Sequence, residues 1–207
     1  MDLDLLLAVN QGWASPALDA FFGWISQKKT FSLPLLGLIL WLLWRREGRA
    51  GLRLWLLLIV GVLLGDAIGN GLKHLFGQLR PCAEHPALVR LVMEPFRVGC
   101  AFKPTGMPSN HALNFFLTAA FLGGVLRSWR WGLALGAVAV LVALSRVYLG
   151  VHYPGQVLAG AAFGLLLGAL AAWLVGAAPV LRRWLWADGE GVNGITKRSV
   201  PRADREG

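Results

Sequence analysis

Charge is scarce in this chain: only 15% of its 207 residues are Asp, Glu, Lys or Arg, and the acids number 11 in all. Soluble domains average about 25%, so an ordinary water-soluble enzyme is excluded. The 56% apolar share excludes a disordered chain. Cysteine is nearly absent. Two residues, Cys82 and Cys100, cannot build a multi-bridge disulfide scaffold or a four-thiolate zinc site. A basic leader is also missing. The N-terminus carries Asp2 and Asp4, and no small-residue cleavage site follows, so no cleavable signal peptide is expected. The shortage of acids leaves a net charge of +9. With so little polar surface a nucleic-acid groove is not expected. Anionic lipid head groups or phosphate ligands are the expected partners of that charge.

What the chain does have is long uncharged runs and a mean hydropathy of +0.57. Residues 30–44, 54–72, 112–126, 131–144 and 153–181 form five of them, the second interrupted only by Asp66 and Asn70. The pattern predicts an all-α, polytopic transmembrane helical bundle with five to six spans in one domain over residues 30–186. Residues 1–29 are apolar but broken by Asn10, Gln11, Pro16 and Asp19, and read as interfacial or weakly spanning helices. Residues 187–207 are polar and mixed in charge, and read as a disordered tail. Twelve Lys and Arg fall in the turns between alternate runs and in the tail, against eight on the other side. The positive-inside bias puts the twelve in the cytoplasm. Trp41, Trp44, Trp55, Trp129, Trp131, Trp184 and Trp186 flank those same turns, where indole rings favour the interface.

Three polar blocks interrupt the apolar chain: Lys73 through Arg80-Pro81, then Pro108-Ser109-Asn110-His111, then Ser145-Arg146 through His152. The first follows one run on its outer side, and the second begins the next run from there. Residues 112–144 hold one leg in and one leg back around the basic turn at 127–130, each about 24 Å long at 1.5 Å per residue. The third block therefore returns to the face where the second began. Three cations, two His, a Ser and an Asn gathered on one face suit a tetrahedral dianion. Arg80 and Arg146 can grip phosphate oxygens bidentately and Lys73 adds a point charge. Ser109 and the backbone N–H groups at the start of a helix add donors. Phosphoryl transfer needs mainly such stabilisation, with an in-line nucleophile and a leaving-group acid.

Taken singly, each cation reads as an interfacial anchor, and the two His could be haem ligands. Together, the blocks resemble the signature of the type 2 phosphatidic acid phosphatase superfamily: K-x6-R-P, P-S-G-H and S-R-x5-H-x3-D. The match is at Lys73, Arg80, Pro81, Pro108, Ser109, His111, Ser145, Arg146 and His152, over roughly residues 54–165. The resemblance implies a membrane lipid phosphatase. His152 would be the nucleophile that becomes a phosphohistidine, and His111 the acid that protonates the leaving oxygen. Lys73, Arg80, Ser109, Asn110 and Arg146 would hold the phosphoryl group. No metal or other cofactor is implied. The implied substrates are membrane lipid phosphates: undecaprenyl pyrophosphate, phosphatidylglycerol phosphate, phosphatidic acid or lipid A, met at the outer, periplasmic face of a bacterial-type inner membrane. A lipid-to-lipid phosphotransferase, or a non-catalytic phosphate-binding membrane protein, is the alternative.

Two positions depart from the signature. Asn110 stands for Gly, where a backbone N–H is the chief requirement. Gln156 stands for the Asp that orients the nucleophile. A Gln carbonyl can still accept from the imidazole N–H but supplies no negative charge, so returning Asp at 156 is expected to preserve or raise activity. Asp66 and Asn70 lie on one helix face before Lys73 and are candidate supports; Asp66 is expected to pair with Lys73, to line a polar floor of the site, or to serve packing alone. Ser145 is a possible support. Cys82 and Cys100 are expected to close the outer loop as a disulfide. Lys28 and Lys29 read as surface anchors.

Overall fold

The computed structural model describes residues 1–187 apart from 93 and 97, so the tail beyond 187 lies outside the described residues. Among them every regular element is helical. Two short helices, α1 (Asp2–Asn10) and α2 (Pro16–Ile25), come first. Ser15 caps α2, its hydroxyl accepting from Leu18 N–H at 3.3 Å, and Pro16 occupies the first turn. At nine and ten residues each helix is about 15 Å long, too short for a hydrocarbon layer of about 30 Å.

A π-helical turn, Lys28–Ser32, leads into α3 (Leu33–Phe76). This helix is folded back on itself at Gly48, whose φ of 55° and ψ of −129° belong to glycine alone. Gly51 completes the reversal: a Cβ there would meet the Leu43 carbonyl oxygen at 2.2 Å. The two halves run side by side, with Trp55 Nε1 donating to Leu36 O at 3.0 Å. The break falls in the Arg-rich stretch that the sequence places between its first two apolar runs.

After α4 (Pro81–Glu84) and a long loop come α5 (Asn110–Val125), α6 (Trp129–Tyr148), α7 (Pro154–Ala177) and α8 (Pro179–Leu185). Among the described residues, three segments are long and apolar enough to cross a membrane: Lys28–Glu84, Trp129–Tyr148 and Pro154–Ala177. Leu63, Leu64, Leu166 and Trp173 point outward from them, as a lipid-facing surface requires.

The position of α5 decides the geometry of the site. It is wedged between α3 and α7, and each presents a glycine every fourth residue. On α7, a Cβ at Gly160, Gly164 or Gly168 would lie 2.4, 2.2 or 2.5 Å from the carbonyl oxygens of Ser109, Leu113 and Leu117. On α3, a Cβ at Gly65 would meet Leu113 Cδ2 at 2.9 Å, and one at Gly69 would meet Asn110 Oδ1 at 2.6 Å. Small residues at this spacing let helix backbones approach closely where no hydrophobic force drives them together. Leu113, Leu117 and Leu122 then bury against Leu54 and Leu58 of α3.

The short N-terminal helices lie across the ends of α6 and α7. Buried Asn10 donates to Tyr148 O at 2.7 Å and to Arg90 O at 2.9 Å. Arg90 forms a bidentate pair with Asp19, both bonds 2.9 Å, and Tyr148 donates its hydroxyl proton to the same carboxylate at 2.6 Å. Asp2 accepts from Gly155 N–H, at the start of α7, at 3.0 Å. A disulfide joins Cys82 to Cys100, closing much of the loop between α4 and α5.

Candidate active site

The site lies where α3, α5 and α7 begin or end on the face covered by α1 and α2. Ser109 is the N-cap of α5 and is wholly buried. Its N–H donates to Gln156 O, in the first turn of α7, at 3.0 Å, so the second block is bonded directly to the segment that follows His152. Arg146 sits in the last turn of α6, and its carbonyl oxygen accepts from Val151 N–H at 3.1 Å and His152 N–H at 3.2 Å. Gly150, at φ 71°, makes the tight turn between them. The S-R-x5-H spacing is thus a helix end followed by a hydrogen-bonded loop that returns the imidazole to electrostatic reach of the Arg146 guanidinium.

His152 is buried, and its Nδ1 lies 3.1 Å from Gln156 Oε1. The amide can be oriented from its partners: Gln156 Nε2 donates to Leu79 O at 2.8 Å, while Oε1 also accepts from Tyr153 N–H at 3.3 Å. Oε1 is therefore the acceptor, and Nδ1 must carry the imidazole proton. The Nε2 lone pair is left free. Burial, reinforced by Arg146 and then Arg80, holds the His152 pKa well below the ordinary 6.5, with the bond to Gln156 opposing. The ring is neutral at physiological pH.

Around it stand Arg80, Arg146 and His111, with Lys73 in reach of the two Arg. Arg146 and Arg80 act electrostatically on both imidazoles, and His111 on His152. Lys73 is in the last turn of α3, in electrostatic reach of Arg80 and Arg146. Arg80 is held in extended backbone just before α4. Arg146 is buried and bonded to Ser26 Oγ. Three donors here are buried without a protein partner: Arg80 Nε, Arg146 Nε and Ser109 Oγ. Buried polar groups normally find partners, so unmatched donors beside clustered cations suit an oxyanion.

Asp66 and Asn70 form a polar floor; Asn70 bonds Lys73 directly, whereas Asp66 bonds the two Asn amides of α5. Asp66 Oδ1 accepts from Asn110 Nδ2 at 3.0 Å and from Asn114 Nδ2 at 2.8 Å. Asn70 Oδ1 accepts from Asn110 Nδ2 at 3.1 Å and Lys73 Nζ at 3.4 Å. Asn110 therefore does more than offer a backbone N–H: its side chain ties the start of α5 to α3. Ser145 is turned away, its hydroxyl donating to Val142 O at 2.6 Å within α6.

Four contributors are not apparent from the three blocks. Ser26 meets Arg146, and its backbone hydrogen-bonds His111. Asn114 continues the Asn110 face by one turn. Gly106 lets Gln156 approach, since a Cβ there would lie 2.5 Å from Gln156 Nε2. Lys28 lines a cavity of about 230 Å³ with His111, Asp66 and Asn110, which continues between Leu36, Ile39, Val62 and Leu135. Among the described residues no cluster of His, Cys, Asp or Glu could hold a metal ion.

The fold and site define a membrane-embedded helical protein with a buried cationic centre gathered around two imidazoles. The chain belongs to the PAP2 superfamily of membrane lipid phosphatases, whose pattern it matches over residues 54–179. It is similar to the lipid A 4'-phosphatase of Porphyromonas gingivalis, 28% identical over 81% of this chain and 70% of that protein. It is likewise similar to the undecaprenyl-diphosphatase of Sulfolobus acidocaldarius, 32% identical over 72% of this chain and 65% of that one. Among solved structures it resembles Aquifex aeolicus LpxE, with a TM-score of 0.58, 25% identity, and coverage of 82% of this chain and 93% of that chain.

Proposed function

We propose that the chain removes the terminal phosphate from a membrane lipid phosphate or diphosphate through a phosphohistidine on His152. The carrying observation is the contact between His152 Nδ1 and Gln156 Oε1, which assigns the ring proton to Nδ1 and leaves Nε2 free in a site with unmatched cationic donors. Nε2 attacks phosphorus in line, and the bond to the leaving oxygen breaks with its electron pair staying on that oxygen. His111, at the start of α5, protonates it. Lys73, Arg80, Arg146, Ser109 Oγ and the first N–H groups of α5 hold the charge that builds on the phosphoryl oxygens. Water then attacks phosphorus and gives its proton to His111, the P–N bond breaks with its electron pair returning to Nε2 of His152, and inorganic phosphate leaves.

The two halves of α3, with α5, α6 and α7, supply five crossings in this reading, and the basic turns at Gly48 and at 127–130 lie in the cytoplasm. The site then opens at the outer face of a bacterial-type inner membrane. The apolar part of the cavity beside His111 takes the lipid chain. The test is phosphate release from lipid phosphates by purified protein, wild type against His152→Ala. Loss of release together with loss of an acid-labile, alkali-stable labelled enzyme supports the reading; release by His152→Ala sinks it.

A further inference from the structure

We propose that Lys28 binds a second phosphate on the leaving-group side of the scissile bond, so that the site prefers a lipid diphosphate to a lipid monophosphate. This rests on the phosphatase reading and narrows its substrate class.

Lys28 stands apart from the other cations. Lys73, Arg80 and Arg146 come from the three sequence blocks, and both guanidiniums act on His152. Lys28 comes from the π-helical turn before α3 and lines the cavity with His111, whose ring and Lys73 it reaches electrostatically. Its ammonium is exposed and has no hydrogen bond or ion pair among the described residues. Asp66, the acid of the same cavity, has one oxygen taken by two Asn amides and forms no ion pair with Lys28. Beyond Lys28 the wall turns apolar through Leu33, Leu36 and Ile39.

The cavity therefore presents a leaving-group acid, then a free cation, then hydrocarbon. A lipid diphosphate has the same order: terminal phosphoryl group, bridging oxygen, second phosphate, chain. A simple monophosphate ester puts carbon beside Lys28 and gives the ammonium no counter-ion. When Nε2 of His152 takes the terminal phosphoryl group of a diphosphate, the electron pair of the broken P–O bond stays on the bridging oxygen. The departing lipid monophosphate gains negative charge, which Lys28 stabilises while His111 delivers the proton.

The experiment compares farnesyl diphosphate with farnesyl monophosphate, which share a tail, in wild type, K28Q, K28R and K29Q. Lys29 is exposed and does not line the cavity. The ratio of kcat/KM for diphosphate over monophosphate should fall about tenfold in K28Q, the loss of one charge-assisted hydrogen bond. It should recover largely in K28R and stay at the wild-type value in K29Q. An unchanged ratio in K28Q overturns the proposal, as does an equal loss in K29Q. If wild type releases phosphate from neither substrate, the phosphatase reading fails and binding decides. Calorimetric titration with inorganic pyrophosphate and orthophosphate should then show a pyrophosphate preference in H152A that vanishes in H152A/K28Q. A preference that survives K28Q, or is absent from H152A, overturns the proposal.

Discussion

Gln156 holds His152 with one end of its amide and the chain just before Arg80 with the other: Oε1 lies 3.1 Å from Nδ1, and Nε2 donates to Leu79 O at 2.8 Å. No carboxylate can do both, because the second contact needs a donor. This geometry leads to the opposite prediction from the sequence, in which Asp serves at least as well. Asp is one methylene shorter and would set an anion against a carbonyl oxygen. Gln156→Asp should lower turnover, and Gln156→Ala should lower it by about a hundredfold or more, as expected when a catalytic imidazole loses its tautomer. Gln156→Glu should be impaired at neutral pH and partly recover in acid, where a protonated carboxyl again donates to Leu79 O. The measurement is kcat on a lipid phosphate from pH 5 to 8. A Gln156→Asp enzyme at or above wild-type rate would show that the Leu79 contact is dispensable.

The depressed pKa of His152 fixes a pH window. In the unfolded chain the imidazole titrates near 6.5, whereas in the fold burial and the two Arg hold its pKa well below that. Between those values the unfolded state binds more protons, so this contribution to stability is complete above about pH 6.5 and is lost as pH falls toward the folded value. Each unit of displacement corresponds to about 1.4 kcal/mol. His152→Asn should unfold with a smaller drop in Tm between pH 7.5 and 5.5 than wild type. The acid limb of kcat/KM in wild type should lie below pH 6.5. An acid limb at or above 6.5 would mean that His152 is not held neutral by its surroundings.

The three blocks were legible in the sequence because each is local. A helix end with its following loop sets S-R-x5-H, and a helix start sets P-S-N-H. The uncharged runs that alternate with basic turns show where the chain reverses, which is what returns the three blocks to one end of the bundle. Lys28, Ser26 and Gly106 were not legible in that way. They reach the site through the packing of α2 and of the loop before α5, and nothing in their own neighbourhoods marks it. Gln156 was legible as a departure, but its bond to Leu79 spans 77 positions and depends on a fold no spacing reveals. Asp66 was legible as a costly residue in an apolar run; it reaches Lys73 electrostatically, while its hydrogen bonds come from Asn110 and Asn114.

The glycines of α7 act as spacers that bring Ser109 to Gln156. A methyl group at Gly164 would overlap the Leu113 carbonyl, whereas at Gly136 of α6 nothing lies within 4 Å of the added carbon. Gly164→Ala should therefore part α5 from α7, cost about 1–3 kcal/mol, and lower kcat by disturbing the Ser109–Gln156 bond. Gly136→Ala should leave activity unchanged and hold or slightly raise the Tm, given the better helix propensity of Ala. The check is thermal unfolding in detergent beside turnover for both variants. Equal behaviour of the two would show that the glycine contacts do not set the α5–α7 distance.

The disulfide acts on the first block. Cys82 follows Arg80 by two residues, and its partner Cys100 lies 18 positions on. The bridge thereby pins the chain that presents the guanidinium to the loop that carries Arg90, itself anchored to Asp19 of α2. Closing a loop of this length restrains the unfolded chain by about 3 kcal/mol in the entropy model. Reduction, or Cys82→Ser with Cys100→Ser, should lower the Tm and open residues 82–107 to protease. If Arg80 holds the phosphoryl group as proposed, while His152 in the loop before α7 and Gln156 in its first turn lie outside the bridged segment, KM should rise more than kcat falls. A reduced enzyme with unchanged Tm and KM would show that the Asn10–Arg90–Asp19 contacts alone hold the loop over the site.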